Sequence, residues 1–127
     1  MQVKIDTKEK FTVITPEETR LNDSFSGTLK PVLLDCLEKP IKNVVLNLKN
    51  VISVDEVAAM DLATIQQNFY AHSASFVICE VKTDTAKQLE AFQLLDLLNL
   101  APTESEAWDI VQMEEIEREL LDGGDPL

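Results

Sequence analysis

The chain is poor in the residue types that concentrate chemistry. Its 127 residues include one histidine, two cysteines, three glycines, one tryptophan and one tyrosine. His72 has no second histidine or paired cysteine at ligand spacing, so no metal site and no cofactor are expected. Gly27 stands alone and the other glycines lie at the C-terminal end, which leaves no glycine-rich loop to cradle a phosphate. No apolar run approaches the ~20 residues of a membrane helix. The start, Met1-Gln2-Val3-Lys4-Ile5-Asp6, has no apolar secretory core, so the expected location is cytoplasmic. Cations are scarce as well, with 11 Lys and Arg against 23 Asp and Glu for a net charge of −12. Nucleic-acid binding needs clustered cations to neutralise phosphates, and that function class is excluded.

What remains is the composition of a soluble globular domain, 45% hydrophobic and 27% charged. Cys36 and Cys79 sit among aliphatic neighbours, where a free thiol behaves as a small buried hydrophobe. The charge is unevenly placed. Residues 104 to 127 carry nine acids and one cation, Arg118, and hold −8 of the −12. Such a run reads first as a solvated helix face, with a dedicated acidic binding tail as the alternative. Asp122-Gly123-Gly124-Asp125-Pro126 stops a helix, giving one domain over 1–121 and a flexible tail over 122–127.

Val3, Ile5, Phe11 and Val13 alternate with polar residues around Thr7-Lys8-Glu9-Lys10, which predicts an opening antiparallel hairpin. Asn22-Asp23-Ser24 offers side-chain oxygens to cap a first helix bearing Phe25, Leu29, Leu33 and Leu37. Pro31 opposes an interior helix position, so the regular helix is expected to start only shortly before it. Val44-Val45-Leu46-Asn47-Leu48 reads as the central strand, covered on both faces. Asp55-Glu56 opens a second helix whose apolar Val57, Met60, Leu62, Ile65 and Phe69 read as core. A strand over Ser75–Val81 follows, then a third helix capped by Thr83-Asp84 and carrying Ala86, Leu89, Phe92, Leu95 and Leu98. A short strand is expected near Leu100-Ala101. Thr103 and Glu106 then have the spacing of a capping box for a last helix with Ala107, Trp108, Ile110, Val111, Ile116 and Leu120. The order β-β-α-β-α-β-α-(β)-α predicts an α/β fold: a mixed four- to five-stranded sheet, an N-terminal hairpin and about four helices.

Three segments in this order resemble the STAS domain, the fold shared by bacterial anti-sigma-factor antagonists and the cytoplasmic tails of sulfate transporters. Ile41 to Val51 is similar to the family's central strand and following loop. Ser53-Val54-Asp55-Glu56-Val57-Ala58-Ala59-Met60 sits where the family carries an Asp-Ser-Ser-Gly-like turn into its second helix. Phe76–Val81, Leu94–Leu98 and Pro102–Ala107 resemble the next strand, the end of a helix and the start of the final one, a likeness spanning about residues 2 to 115. The resemblance implies a docking surface at Asp55, Glu56, Val57 and Ala58, flanked by Asn22 and Asp23 at the start of the first helix. It also exposes a departure. Asp55 matches the turn's Asp, Glu56 its first Ser, Val57 the phosphorylated Ser and Ala58 its Gly. Val57 has no hydroxyl, so no phosphorylation is expected there; Ser53 and Thr64 are nearby hydroxyls that do not occupy the matching place.

The function so implied is a non-enzymatic interaction and regulatory module whose partner is a protein such as a kinase-like anti-sigma factor. A STAS module of a transport assembly that binds a nucleotide or a lipid is the alternative. An enzyme fits worst, since the adjacent His72 and Ser73 do not converge on one substrate atom and abundant carboxylates single out no acid or base.

Overall fold

A computed structural model describes residues 2–121. The expected tail over 122–127 lies outside the described residues. Strands β1 (Val3–Thr7) and β2 (Thr12–Pro16) form the opening hairpin, with Thr7 opposite Thr12 and the Lys8 amide donating to the Phe11 carbonyl at 2.8 Å. Strands β4 (Val44–Asn47), β6 (Phe76–Cys79) and β7 (Leu100–Ala101) add to β2 in parallel, giving a five-stranded mixed sheet of order β1-β2-β4-β6-β7. Between β2 and β4 lie β3 (Arg20–Leu21) and helix α1 (Ser24–Asp35). Strand β5 (Ser53–Val54) and helix α2 (Glu56–Ala71) join β4 to β6, helix α3 (Thr83–Ala91) joins β6 to β7, and helix α4 (Glu104–Leu121) closes the chain.

The pleat sorts each strand between two cores. Ile14, Val44, Leu46, Phe76 and Ile78 meet Phe25, Leu29 and Leu33 of α1, Leu62, Ile65 and Phe69 of α2, and Leu89 of α3. Val13, Val45, Val77 and Cys79 point the other way, onto Ala107 and Val111 of α4. All four residues of β4 are buried, in keeping with its aliphatic Val44-Val45-Leu46. Successive parallel strands step in one direction across the sheet, so right-handed crossovers put α1, α2 and α3 on one face. The strand order never reverses, and the crevice that open α/β sheets use for nucleotides at such a reversal is not formed.

Strand β6 is shorter than the expected Ser75–Val81, and four expectations about the helices also need correction. Helix α1 does not start late; it runs from Ser24 straight through Pro31. Pro31 and Gly27, whose carbonyl Pro31 cannot engage, are both exposed, so that carbonyl is open to water and the ring meets no core. Helix α3 does not reach Leu98 but ends at Ala91, because Gln93 turns into the left-handed region at φ 62° and the Leu94 amide closes onto the Leu89 carbonyl at 3.0 Å. Its N-cap is Lys82, not Thr83-Asp84. Among the apolar positions read as helix stripes, Val57 and Met60 of α2 and Ile116 and Leu120 of α4 are exposed, since the inner face of α2 is made instead by Ala58, Ala59, Leu62, Ile65 and Phe69.

A Cβ built at Gly27 meets nothing within 4 Å. Gly27→Ala therefore removes the entropy penalty of a helical glycine without a clash, and raises stability by about 0.5–1 kcal/mol. An upward shift of the urea midpoint with unchanged m-value is the expected reading.

Candidate functional site

Two short strands build the site. β3 pairs in parallel with β5, Arg20 beside Ser53 and Leu21 beside Val54. The Ile52 and Ser53 amides donate to the Thr19 carbonyl at 2.7 and 3.3 Å, and the Asp55 amide to the Leu21 carbonyl at 3.0 Å. Gln88 of α3 ties in a third element, its Oε1 accepting from the Val54 amide at 2.8 Å. The segment entering α1 and the segment entering α2 are thus held side by side.

Each helix start carries its own cap. Asp55 is extended, at φ −84° and ψ 173°, and its carboxylate accepts from the Ala58 amide at 2.9 Å. That geometry satisfies one orphan donor and places negative charge against the positive end of the helix dipole. Asn22 serves α1, its Oδ1 accepting from the Ser24 amide at 3.1 Å and the Ser24 hydroxyl at 2.8 Å, whereas Asp23 makes no side-chain cap. Behind the mouth, Asp61 of α2 accepts from the Ser26 hydroxyl and from Lys30 Nζ at 3.1 Å, clipping α1 to α2.

A cleft of about 530 Å³ opens between these segments. Asn22, Asp55 and Glu56 line it, together with Arg20, Ser53, Gln88 and Phe92. Of the six residues singled out in the sequence, those three share the cleft, and Asp23 lies exposed beside Asn22. Val57 is exposed on the first turn of α2. Met60, one turn further on the same face, is exposed too, so the pair forms an apolar step beside two carboxylates. Ala58 is fully buried, and its side chain offers no surface. Arg20, Gln88 and Phe92 were not legible as site residues, because only the β3–β5 pairing and α3 packing bring them there.

The remaining chemistry-bearing groups have structural roles. His72 is the C-cap of α2, exposed, with its Nδ1 on the Asn68 carbonyl at 2.7 Å. Cys36 and Cys79 are buried. Burial, reinforced by the Glu104 and Glu80 carboxylates, pushes the Cys79 thiol from 9.0 up to about 12, and Cys36 is also raised, chiefly by burial. Such thiols are poor nucleophiles at neutral pH. Among the described residues no helix is long and apolar enough to cross a membrane.

Comparison with known proteins bears on the fold. The family model for the STAS domain matches residues 2–107. A Thermotoga maritima protein assigned as an anti-sigma factor antagonist superposes with TM-score 0.76 at 19% identity, over 87% of this chain and 94% of its own. Moorella thermoacetica RsbS, carrying a serine-to-glutamate substitution, gives 0.73 at 22%, over 88% and 96%. An anti-sigma factor antagonist from Mycobacterium paratuberculosis gives 0.75 at 14%, over 87% and 93%. No curated protein sequence matches the chain.

Two outcomes follow from the caps and the thiol. Asp55→Ala lowers stability by about 1 kcal/mol in chemical denaturation, while Asp55→Asn, which keeps a cap, leaves it within a few tenths. The folded state holds the Cys79 proton above the pH at which the unfolded chain releases it, so the thiol's contribution to stability is complete below about pH 9 and is lost as pH rises toward 12. Cys79→Ala flattens that decline, and native protein resists thiol reagents at mildly alkaline pH.

Proposed function

We propose that this chain, which belongs to the STAS domain family, is a non-enzymatic protein-interaction module of the anti-sigma-factor-antagonist kind. It works as one cytoplasmic domain over residues 1–121 that docks a protein partner, such as a kinase-like anti-sigma factor, at the mouth of α2. The observation that carries this reading is the exposure of Val57 at 54% and Met60 at 55%, next to the exposed carboxylates of Asp55 and Glu56. Large apolar side chains left open beside fixed charge suit a contact surface, whereas a helix face meant only for water is polar.

Val57 also sets the regulatory state. A phosphate on the first turn of a helix adds a charge of about −1.5 to −2 where backbone amides favour it, and that addition can expel or admit a partner. A valine at this position takes no phosphate. The carboxylates of Asp55 and Glu56 supply a permanent negative charge instead, so docking at this face is constitutive. The same two carboxylates, against the single guanidinium of Arg20, disfavour the phosphates of a nucleotide in the adjoining cleft.

The test is affinity capture from the native extract with wild type, Glu56→Lys, Val57→Asp and Asp55→Asn, followed by titration of the recovered partner. The expected result is one specific partner whose affinity drops about tenfold or more with Val57→Asp and Glu56→Lys, as at a contact hot spot. Asp55→Asn keeps the cap and isolates the contribution of charge. Equal retention of the partner by all four proteins would remove the α2 mouth from the interface.

A further inference from the structure

Helix α4 has two faces, and only one is used by the fold. Ala107 and Val111 are buried against the sheet and Trp108 and Ile110 pack at their margin. The only cation of the helix, Arg118, turns inward as well: it donates to Ser75 Oγ at 3.0 Å and to Asn43 Oδ1 at 3.3 Å. Asn43, itself buried, donates to Glu115 Oε2 at 2.7 Å and to the Lys10 carbonyl at 3.0 Å. The C-terminal half of α4 is therefore fastened by polar side chains, with its opposite face outward.

On that outward face stand Met113, Ile116 and Leu120, exposed by 59%, 57% and 67%. Their spacing of three and four residues puts them in one stripe. Exposed Glu106, Asp109, Glu117 and Glu119 surround it, and α4 presents no exposed cation. The family match ends at residue 107, before the stripe begins. A solvent-facing helix face is ordinarily polar, and a contiguous apolar stripe inside a charged rim marks an interaction surface.

We propose that the outer face of α4 is a second docking site, taking a basic amphipathic helix of another protein. The partner's apolar residues cover Met113, Ile116 and Leu120, and its Lys or Arg residues meet the flanking carboxylates. Charge selects this occupant. A second copy of the chain would set one row of carboxylates against another, and an anionic lipid surface would be repelled in the same way. The site lies on the opposite side of the sheet from the α2 mouth and does not rest on the docking reading given for that mouth.

The test titrates the full isotope-labelled chain with two designed amphipathic helical peptides of ~18 residues, one Leu/Lys and one Leu/Glu. The Leu/Lys peptide is expected to shift amide signals confined to Glu106–Leu121, with a Kd that rises with salt, while the Leu/Glu peptide shifts none. The combined variant Met113→Ser, Ile116→Ser and Leu120→Ser loses about tenfold or more in affinity, the consequence of removing buried apolar area. Val57→Asp leaves the affinity unchanged. If circular dichroism shows the triple variant disturbed, Ile116→Ser alone serves, with a smaller loss in the same direction. Undiminished binding by the serine variants, shifts spread over the whole acidic surface, binding of the Leu/Glu peptide, a dimer that the variants abolish, or capture by phosphatidylcholine vesicles would each overturn the proposal.

Discussion

Three backbone hydrogen bonds between Thr19–Leu21 and Ile52–Asp55 decide where the candidate site can exist. Each is modest, about 0.5–1.5 kcal/mol net. Their effect is geometric, since they join the connections leaving β2 and β4, which would otherwise sample conformations independently. With the pairing in place, the Asn22 cap of α1 and the Asp55 cap of α2 flank one cleft, and Gln88 fixes α3 to the same edge. The sheet beneath supplies the rigidity: β2, β4 and β6 are buried along their whole length.

The parts of this arrangement set by strong local physics were legible in the sequence. The aliphatic run Val44–Leu46 announced the central strand, Asp55 announced a cap, and Thr103 with Glu106 announced another; in the structure Thr103 Oγ1 accepts from the Glu106 amide at 3.2 Å. What stayed hidden were the places where a residue adopts a backbone region its type disfavours. Ser73 after α2, Glu80 after β6 and Gln93 after α3 all have φ near 60° with a side chain present. Without a glycine to signal the break, β6 read too long and α3 ran on to Leu98. Periodicity erred in the same direction. Val57 and Met60 fit a broad apolar face, yet Ala58 and Ala59 are the buried residues of that turn and the larger two face outward. Tertiary packing, not helical spacing, decided which stripe was inside.

The acid excess has two separable parts. Several carboxylates are structural: Glu80 accepts from the Glu104 amide at the start of α4, Glu104 from Asn47, Glu114 from Asn99 and Glu115 from Asn43. These bonds satisfy helix amides and asparagine amides at both ends of the sheet, where unpaired polar groups would be costly. Every one of them also tethers α4 to the sheet, at Asn47 in β4 or at Asn43, Glu80 and Asn99 next to β4, β6 and β7. Asp55 and Asp61 serve the fold as well, whereas Glu56 at the α2 mouth and the rim of α4 face outward and set the field that an approaching partner meets. A single count of −12 therefore hides a division between charge that holds the fold and charge that addresses partners.

That division bears on how two faces on opposite sides of one sheet would work together. Coupling between sites requires an element with two arrangements whose balance both sites bias. Helix α4 is pinned at its start through Glu80 and Asn47 and near its end through Arg118 and Asn43, so its freedom to shift is small. The start of α2 is held by its cap and by β3–β5 pairing. Each face is thus tied to the rest of the fold at more than one point. Occupation of one should then leave the intrinsic affinity of the other nearly unchanged, and any advantage of binding two partners comes from proximity, through effective concentration.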